Sequence, residues 1–271
     1  MTHSYLKSTL ALATLIALPT LSWAGTTSAP AAVAAPAEKP SITGNLSLNL
    51  DSHFVSFGAD VWGGGDGMRH LLFHPSLELN KAVTDNFKLI LGTWWDVNDR
   101  AASSIGNRVQ EVDVWFGGAY TTGILTTTVL YQQWMYNSLN EQAVELKLAV
   151  DTFLKPYVLI HERLATDYND GTVAILGASY DFKAGPVNFS VPAAVEVESS
   201  GYHGGKKAGV GYGSLGLTGS VPVEFISKGA SFSVGVTGYA TNNDLYKTGS
   251  GALSNPAKSF LTYTTGLSIP F

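Results

Sequence analysis

From residue 41 onward, apolar and polar side chains alternate in segments about ten residues long, a weak but repeated strand signal. A period of two sends successive side chains to opposite faces of a strand. Ile42, Leu46, Leu48 and Leu50 share one face, and Thr43, Asn45, Ser47 and Asn49 the other. Leu71, Phe73, Leu77 and Leu79 alternate with Leu72, His74, Ser76 and Glu78. Phe87, Leu89, Leu91 and Trp95 alternate with Lys88, Ile90 and Asp96. The same holds for Val112, Val114, Phe116 and Tyr120 against Glu111, Asp113 and Trp115. Val144, Leu146, Leu148 and Val150 alternate with Glu145, Lys147 and Ala149. The pattern predicts about twelve antiparallel strands, over 42–57, 69–80, 87–97, 109–120, 124–136, 142–151, 154–164, 172–182, 187–197, 209–223, 231–240 and 259–271. Which face is which stays open in 124–136 and 154–164, and Gly, Ser and Pro222 blur 209–230.

The connections carry a second pattern. Thr121-Thr122-Gly123, Asp151-Thr152-Phe153 and Lys183-Ala184-Gly185-Pro186 are tight. Gly58–Met68, Asn98–Arg108, Glu198–Ala208 and Thr241–Lys258 are longer and polar, and they alternate with the tight ones. Short turns at one end and long loops at the other are the layout of an outer-membrane barrel, with both termini on the periplasmic side. Inside hydrocarbon an unpaired N–H or C=O costs several kcal/mol, so a spanning sheet has to close on itself. The fold class expected is therefore all-β, a transmembrane antiparallel β-barrel. Phe87, Tyr120, Phe182 and Phe271 are expected near the periplasmic interface, and Trp95 and Tyr136 near the outer one.

The last segment ends in a recognisable way. Leu261, Tyr263, Leu267, Ile269 and Phe271 share a face, and Thr264, Gly266, Ile269 and Phe271 match the spacing of an outer-membrane assembly signal. The barrel-assembly machinery is the partner this implies. Pro270 departs from the pattern, because it lacks an N–H and weakens one ladder position. At the other end, residues 1–24 read as a secretory signal peptide. Lys7 supplies the positive charge, Leu10–Leu21 the apolar stretch, and Ser22-Trp23-Ala24 the small residues before a cut at Gly25. The apolar stretch is too short for a spanning helix and Pro19 interrupts it. Residues 25–40 form an Ala/Pro-rich stretch with too little apolar area to order itself. Residues 41–271 would form the barrel.

Composition narrows the class further. Charged residues make up only 14% of the 271, against about 25% for a soluble domain, while hydrophobics reach 45%. A soluble β-sandwich would need more Lys and Glu on its outer face. A lipocalin-like barrel would need only about eight strands. The net charge is −5 and no basic stripe occurs, so a nucleic-acid partner is not expected. With no cysteine, disulfides and thiolate zinc sites are excluded.

The order of features resembles the TorF-type porin family of Gram-negative bacteria. Ser52-His53-Phe54-Val55-Ser56-Phe57-Gly58-Ala59-Asp60-Val61-Trp62 resembles its early segment. Leu91-Gly92-Thr93-Trp94-Trp95-Asp96-Val97-Asn98 resembles the next, and Glu111-Val112-Asp113-Val114-Trp115-Phe116-Gly117-Gly118 an acidic strand. The Arg expected in the early segment is replaced by Phe57 or lost. The resemblance implies an outer-membrane, porin-like role with no catalytic residue to carry over.

The inward face would carry the chemistry. Either His70 or His74, with Glu78, Lys88, Asp96, Glu111, Asp113, Glu145, Lys147, Glu196 and either His161 or Glu162, are candidates to line the bore. A barrel of this size lies between those that side chains fill and those that leave a channel. The residues either line a narrow pore for small polar solutes or ions, or pair across the lumen and plug it. Asp96, Glu111 and Asp113 form an acidic patch near the outer mouth. It would favour cations, bind Ca²⁺ through oxygen ligands, or be neutralised by Arg100, Arg108 or a loop Lys. The loop Tyr202–Lys207 is expected as a mobile outer loop whose Lys206 and Lys207 touch lipopolysaccharide phosphates or only water. Gly63-Gly64-Gly65-Asp66-Gly67 is no phosphate loop, since no Lys-Ser or Lys-Thr follows. A passive channel needs no cofactor. A plugged structural or adhesive barrel and a lipid-modifying enzyme are the other readings. Oligomeric state and the solute are not legible.

Overall fold

The computed structural model describes residues 42–62, 70–103, 105–136, 139–166, 170–203, 207–242, 244–246 and 258–271. The expectations for residues 1–40, for the glycine run 63–67 and for Lys206 lie outside the described residues. Twelve strands form the wall of a closed antiparallel barrel, each paired with its sequence neighbours and the first with the last. They are β1 (Ile42–Asp51), β4 (Leu72–Ala82), β5 (Phe87–Val97), β6 (Val109–Thr122), β7 (Leu125–Tyr136), β8 (Leu139–Val150), β9 (Tyr157–Thr166), β10 (Gly171–Ala184), β11 (Val187–Glu198), β12 (Gly209–Pro222), β13 (Ser231–Thr241) and β14 (Ser259–Pro270). Two short strands, β2 (Val55–Ser56) and β3 (Ala59–Asp60), form a separate hairpin.

Closure depends on β1 meeting β14. Seven register pairs run from Asn45↔Pro270 to Asp51↔Thr264. Beyond them Gly44 N–H donates to Phe271 C=O at 2.7 Å, and Phe271 N–H donates back at 3.0 Å. Pro270 therefore does not end the seam, which runs one residue past it. Phe271 lies over Gly44, where a Cβ would strike its ring. Thr264 and Gly266 face inward on β14, while Ile269 and Phe271 face outward.

The outer face is apolar and bare. Leu176 and Leu215 are each 62% exposed, and Leu91, Phe116, Val129 and Val234 stand out from the wall beside them. Such a belt has no protein covering, and hydrocarbon rather than water satisfies it. Tyr120, Phe182 and Phe271 mark the end where the turns are short, and Trp95 stands outward at the other. Tyr136 does not join that outer girdle. Its hydroxyl turns into the bore and donates to Glu141.

Register settles the two ambiguous strands. Tyr131 packs on outward Phe116, 5.3 Å between ring centroids, so Leu125, Thr127, Val129 and Tyr131 face out and Gln132 and Trp134 face in. On β9, His161 opposes Glu145 and faces in, while Val158 and Ile160 face out. Glu162 stands exposed on the outer side, where Thr172 donates to it. Pro222 does not break β12 but ends it, opposite Ser231.

The largest departure is at β1. The alternation reads on to residue 57, yet the ladder stops at Asp51. Ser52 accepts the Tyr263 N–H at its hydroxyl, 2.8 Å, and its own N–H reaches Tyr263 C=O at 2.9 Å. The chain then leaves the wall and enters the bore. Phe54 and Phe57 read as strand residues because they are apolar, but they are needed inside the barrel.

Leu215→Lys tests the outward face. It should cost about 2–4 kcal/mol in urea-dependent folding into lipid vesicles, as a charge near the bilayer midplane does. An unchanged folding midpoint would mean that this face meets water.

Candidate functional site

The bore is where the charged residues gather. His74, Glu78, Lys88, Asp96, Glu111, Asp113, Glu145, Lys147 and Glu196 all stand on the inward parity of their strands, with His74, Asp96 and Glu196 buried. They do not form one constellation. The loop end of the bore holds most of them, and Glu78, Lys88 and Lys147 sit toward the turn end.

The hairpin of β2 and β3 occupies the loop end. Phe57 and Gly58 make its two-residue turn, with φ of 44° and 82°. Positive φ at both positions is the turn geometry that matches strand twist. Glycine tolerates it freely, whereas Phe57 is strained there. Contacts hold the strained residue in place. Its ring lies 4.7 Å from His161, 5.9 Å from Trp134 and 5.5 Å from Tyr202, centroid to centroid. Behind Gly58 stand Tyr212 and Tyr246, where a Cβ would collide. Phe54 packs on Trp94 at 4.9 Å and on His74 at 5.6 Å. The hairpin is closed by Val61 N–H donating to Phe54 C=O at 2.9 Å.

A hydrogen bond from Trp62 to Asp96 ties the inserted segment to a polar network on the wall. Asp96 accepts from Trp62 Nε1 at 2.9 Å, from Asn98 at 2.7 Å, and faces His74 Nε2 at 3.2 Å. His74 Nδ1 meets Asp51 at 2.6 Å, so this ring has a carboxylate at each nitrogen. Asp96 is thus tied to His74, Trp62 and Asn98, and Arg108 pairs instead with Asp99 at the surface, 3.8 Å apart.

Two further loops turn inward. Tyr202 and His203, expected in a mobile outer loop, are buried, and so are Leu245 and Tyr246. The physical reason is partner supply. Arg163 donates to Tyr202 C=O, covers its ring at 3.9 Å, and pairs with Glu141 at 2.7 Å. His203 meets Glu198 at 2.5 Å, and Tyr246 donates to Glu196 at 3.3 Å. Burial pushes the Tyr202 and Tyr246 phenols up from their ordinary value, so both stay neutral donors. Lys207 reaches the exposed rim, where it faces Asp244 at 3.4 Å. The aromatic content of Tyr202-His203 and of Leu245-Tyr246 was the available signal for inward folding.

A cavity of about 290 Å³ remains between the hairpin and the β5–β7 wall, lined by Phe54, Phe57, Trp94, Trp134, Glu111 and Asp113, with Tyr212 opposite. Larger depressions, such as one along Leu176, Val195, Leu215 and Leu261, lie on the outward face among small residues of β10–β14 and carry almost no polar group. Among the described residues, no group of three His, Cys, Asp or Glu is placed to hold a metal ion.

No family model and no curated protein matches the chain. Among solved structures, it is similar to the NanC porin, with 10% identity, a TM-score of 0.49, and coverage of 83% of this chain and 98% of that one. It is also similar to the COG4313 outer membrane channel from Pseudomonas putida F1, at 9% identity and a TM-score of 0.48, covering 88% and 99%. A third is the KdgM porin in complex with disordered oligogalacturonate, at 10% and 0.45, covering 84% and 99%. Likenesses this distant leave the task of the bore to be read from its own residues.

Gly58→Val should dislodge the hairpin, because a branched side chain at φ 82° collides with Tyr212 and Tyr246. The strain amounts to roughly 1–3 kcal/mol. Protease added to the barrel in detergent should then cut within 52–62, where the wild type resists. Equal resistance in the variant would show that the turn is not locked.

Proposed function

We propose that the chain is a constricted outer-membrane channel through which small polar solutes or ions diffuse. The observation that carries this reading is the character of the bore: the inserted hairpin is held by aromatic contacts and the Trp62–Asp96 hydrogen bond, and a cavity bordered by Glu111 and Asp113 is left beside it. Twelve strands enclose more space than their own side chains fill. An apolar plug would fill that space with a packed core. Instead, the buried apolar cluster found here is small, Val173, Ile175 and Tyr202 with a few neighbours, and charged side chains stand around it. Narrowing by a tethered loop with charged walls is how selectivity is imposed on a water-filled bore.

His74, Glu78, Lys88, Asp96, Glu111, Asp113, Glu145, Lys147 and Glu196 are the residues we assign to the permeation path. His161 offers no enzymatic alternative. It is stacked among rings and neither of its nitrogens has a hydrogen-bond partner, so it activates no hydroxyl. The rest of the biology follows the sequence. The signal peptide is cut after Ala24, both termini stay periplasmic, and Thr264, Gly266, Ile269 and Phe271 address the assembly machinery. The long loops then face outward toward lipopolysaccharide, and kinship with the TorF-type porins is part of the same proposal.

Planar bilayers test it. The purified barrel should give discrete conductance steps, and replacing residues 54–61 by a short Gly-Ser linker should enlarge each step severalfold. A wild type that stays silent while the linker variant conducts would make the hairpin a seal and the protein a plugged barrel.

A further inference from the structure

We infer that the cavity beside the hairpin is a binding site for a small organic cation, one with an ammonium or quaternary ammonium head. This deepens the channel reading and rests on it, since the ligand has to reach the bore. The register builds the site. Asp113 on β6 lies opposite Trp94 on β5 and opposite Trp134 on β7, so one carboxylate stands between two indoles. Phe54 and Phe57 close the cavity from the hairpin side. Glu111, the next inward residue on β6, completes it, within hydrogen-bonding reach of Asp113.

Two features point to a cation. Asp113 Oδ1 is shut off from solvent and meets no N–H or side-chain amide, hydroxyl or ammonium donor, although Asp113 lines the cavity. Glu111 lies opposite Asp96 on β5 and shares the inward face of β6 with Asp113, so carboxylates crowd this wall. Neighbouring carboxylates repel one another, and a cation entering between them relieves the repulsion. The nearby Arg163 is already committed to Glu141 and to the Tyr202 ring.

Two more features select an organic cation over a metal ion. A hard metal ion needs six or more oxygen ligands or retained waters, and aromatic walls supply none. The same walls suit a weakly hydrated, alkylated ammonium, which ring faces attract. The barrel uses this contact elsewhere, since Lys147 lies over the Tyr157 ring at 4.7 Å. At about 290 Å³, the space falls at the small end of the range for small-molecule sites. A single head group fits the scale, and an oligosaccharide does not.

Choline is the probe. Trp94 and Trp134 line the site, so titrating the purified barrel with choline chloride should change tryptophan fluorescence saturably. The neutral carbon analogue of choline, with a quaternary carbon in place of nitrogen, should not do so, nor should sodium chloride at equal ionic strength. Asp113→Asn should weaken choline by about tenfold. Heat-dependent gel mobility checks that the variant is folded, and the comparison of choline with its neutral analogue needs no variant. An equal response to the neutral analogue overturns the inference, as does an undiminished affinity in folded Asp113→Asn. The absence of any saturable response in a barrel that conducts also overturns it and leaves the channel reading standing. Saturable choline binding to a barrel that never conducts keeps the site and removes the channel.

Discussion

Hydrocarbon offers no hydrogen bonds, and this is the constraint from which the rest of the structure follows. Every backbone N–H and C=O at membrane depth needs a partner within the protein, so the first and last strands have to find each other across the whole chain. Here the seam runs from Asp51↔Thr264 to the reciprocal pair of Gly44 and Phe271. Ser52 finishes it at the loop end through Tyr263. Once the seam is made, the faces are assigned. Outward positions meet lipid and take Leu, Val and aromatics, while inward positions become the lining of a bore.

Closure with twelve strands creates a second problem, an interior wider than its side chains can fill. The chain solves it with segments borrowed from its loops. The stretch after β1 folds back as a hairpin, and the loops after β11 and β13 bring in Tyr202, His203 and Tyr246. Each insertion joins apolar rings to a charged anchor. Phe54 and Trp62 come with His74 and Asp96, Tyr202 with Arg163 and Glu141, and Tyr246 with Glu196. Buried charges require such pairing, because an isolated one would be too costly to bury.

The two ends of the bore consequently differ. At the loop end, the hairpin and the inward side chains Tyr202, His203 and Tyr246 narrow the bore, and most of the buried polar groups lie there. At the turn end, Lys155 and Asp181 pair at 2.5 Å with both side chains still open to solvent. Also at the loop end, the Glu111–Asp113 face of β6 borders the cavity beside the hairpin. That asymmetry makes the loop end of the bore its narrow, acidic and aromatic part.

Much of this was legible in the chain, and the division follows a physical line. Alternation with period two is local, so strand existence, the outward faces of Leu89, Leu91, Val114 and Leu146, and the inward parity of His74, Asp96 and Glu145 could be read directly. Turn length is local too, and it separated the two ends of the barrel. The faces of β7 and β9 were not legible, because Tyr131, Trp134 and Tyr157 suit either side and only cross-strand register chooses. The inward turn at Ser52 was hidden for a similar reason. Phe54 and Phe57 suit a strand by residue type, and what draws them away is a set of rings contributed by β5, β7 and β9. Sequence by itself determined a wall with a lipid side and a wet side. Tertiary structure alone decided what occupies the bore, since that outcome depends on residues far apart in the chain meeting across the closed sheet.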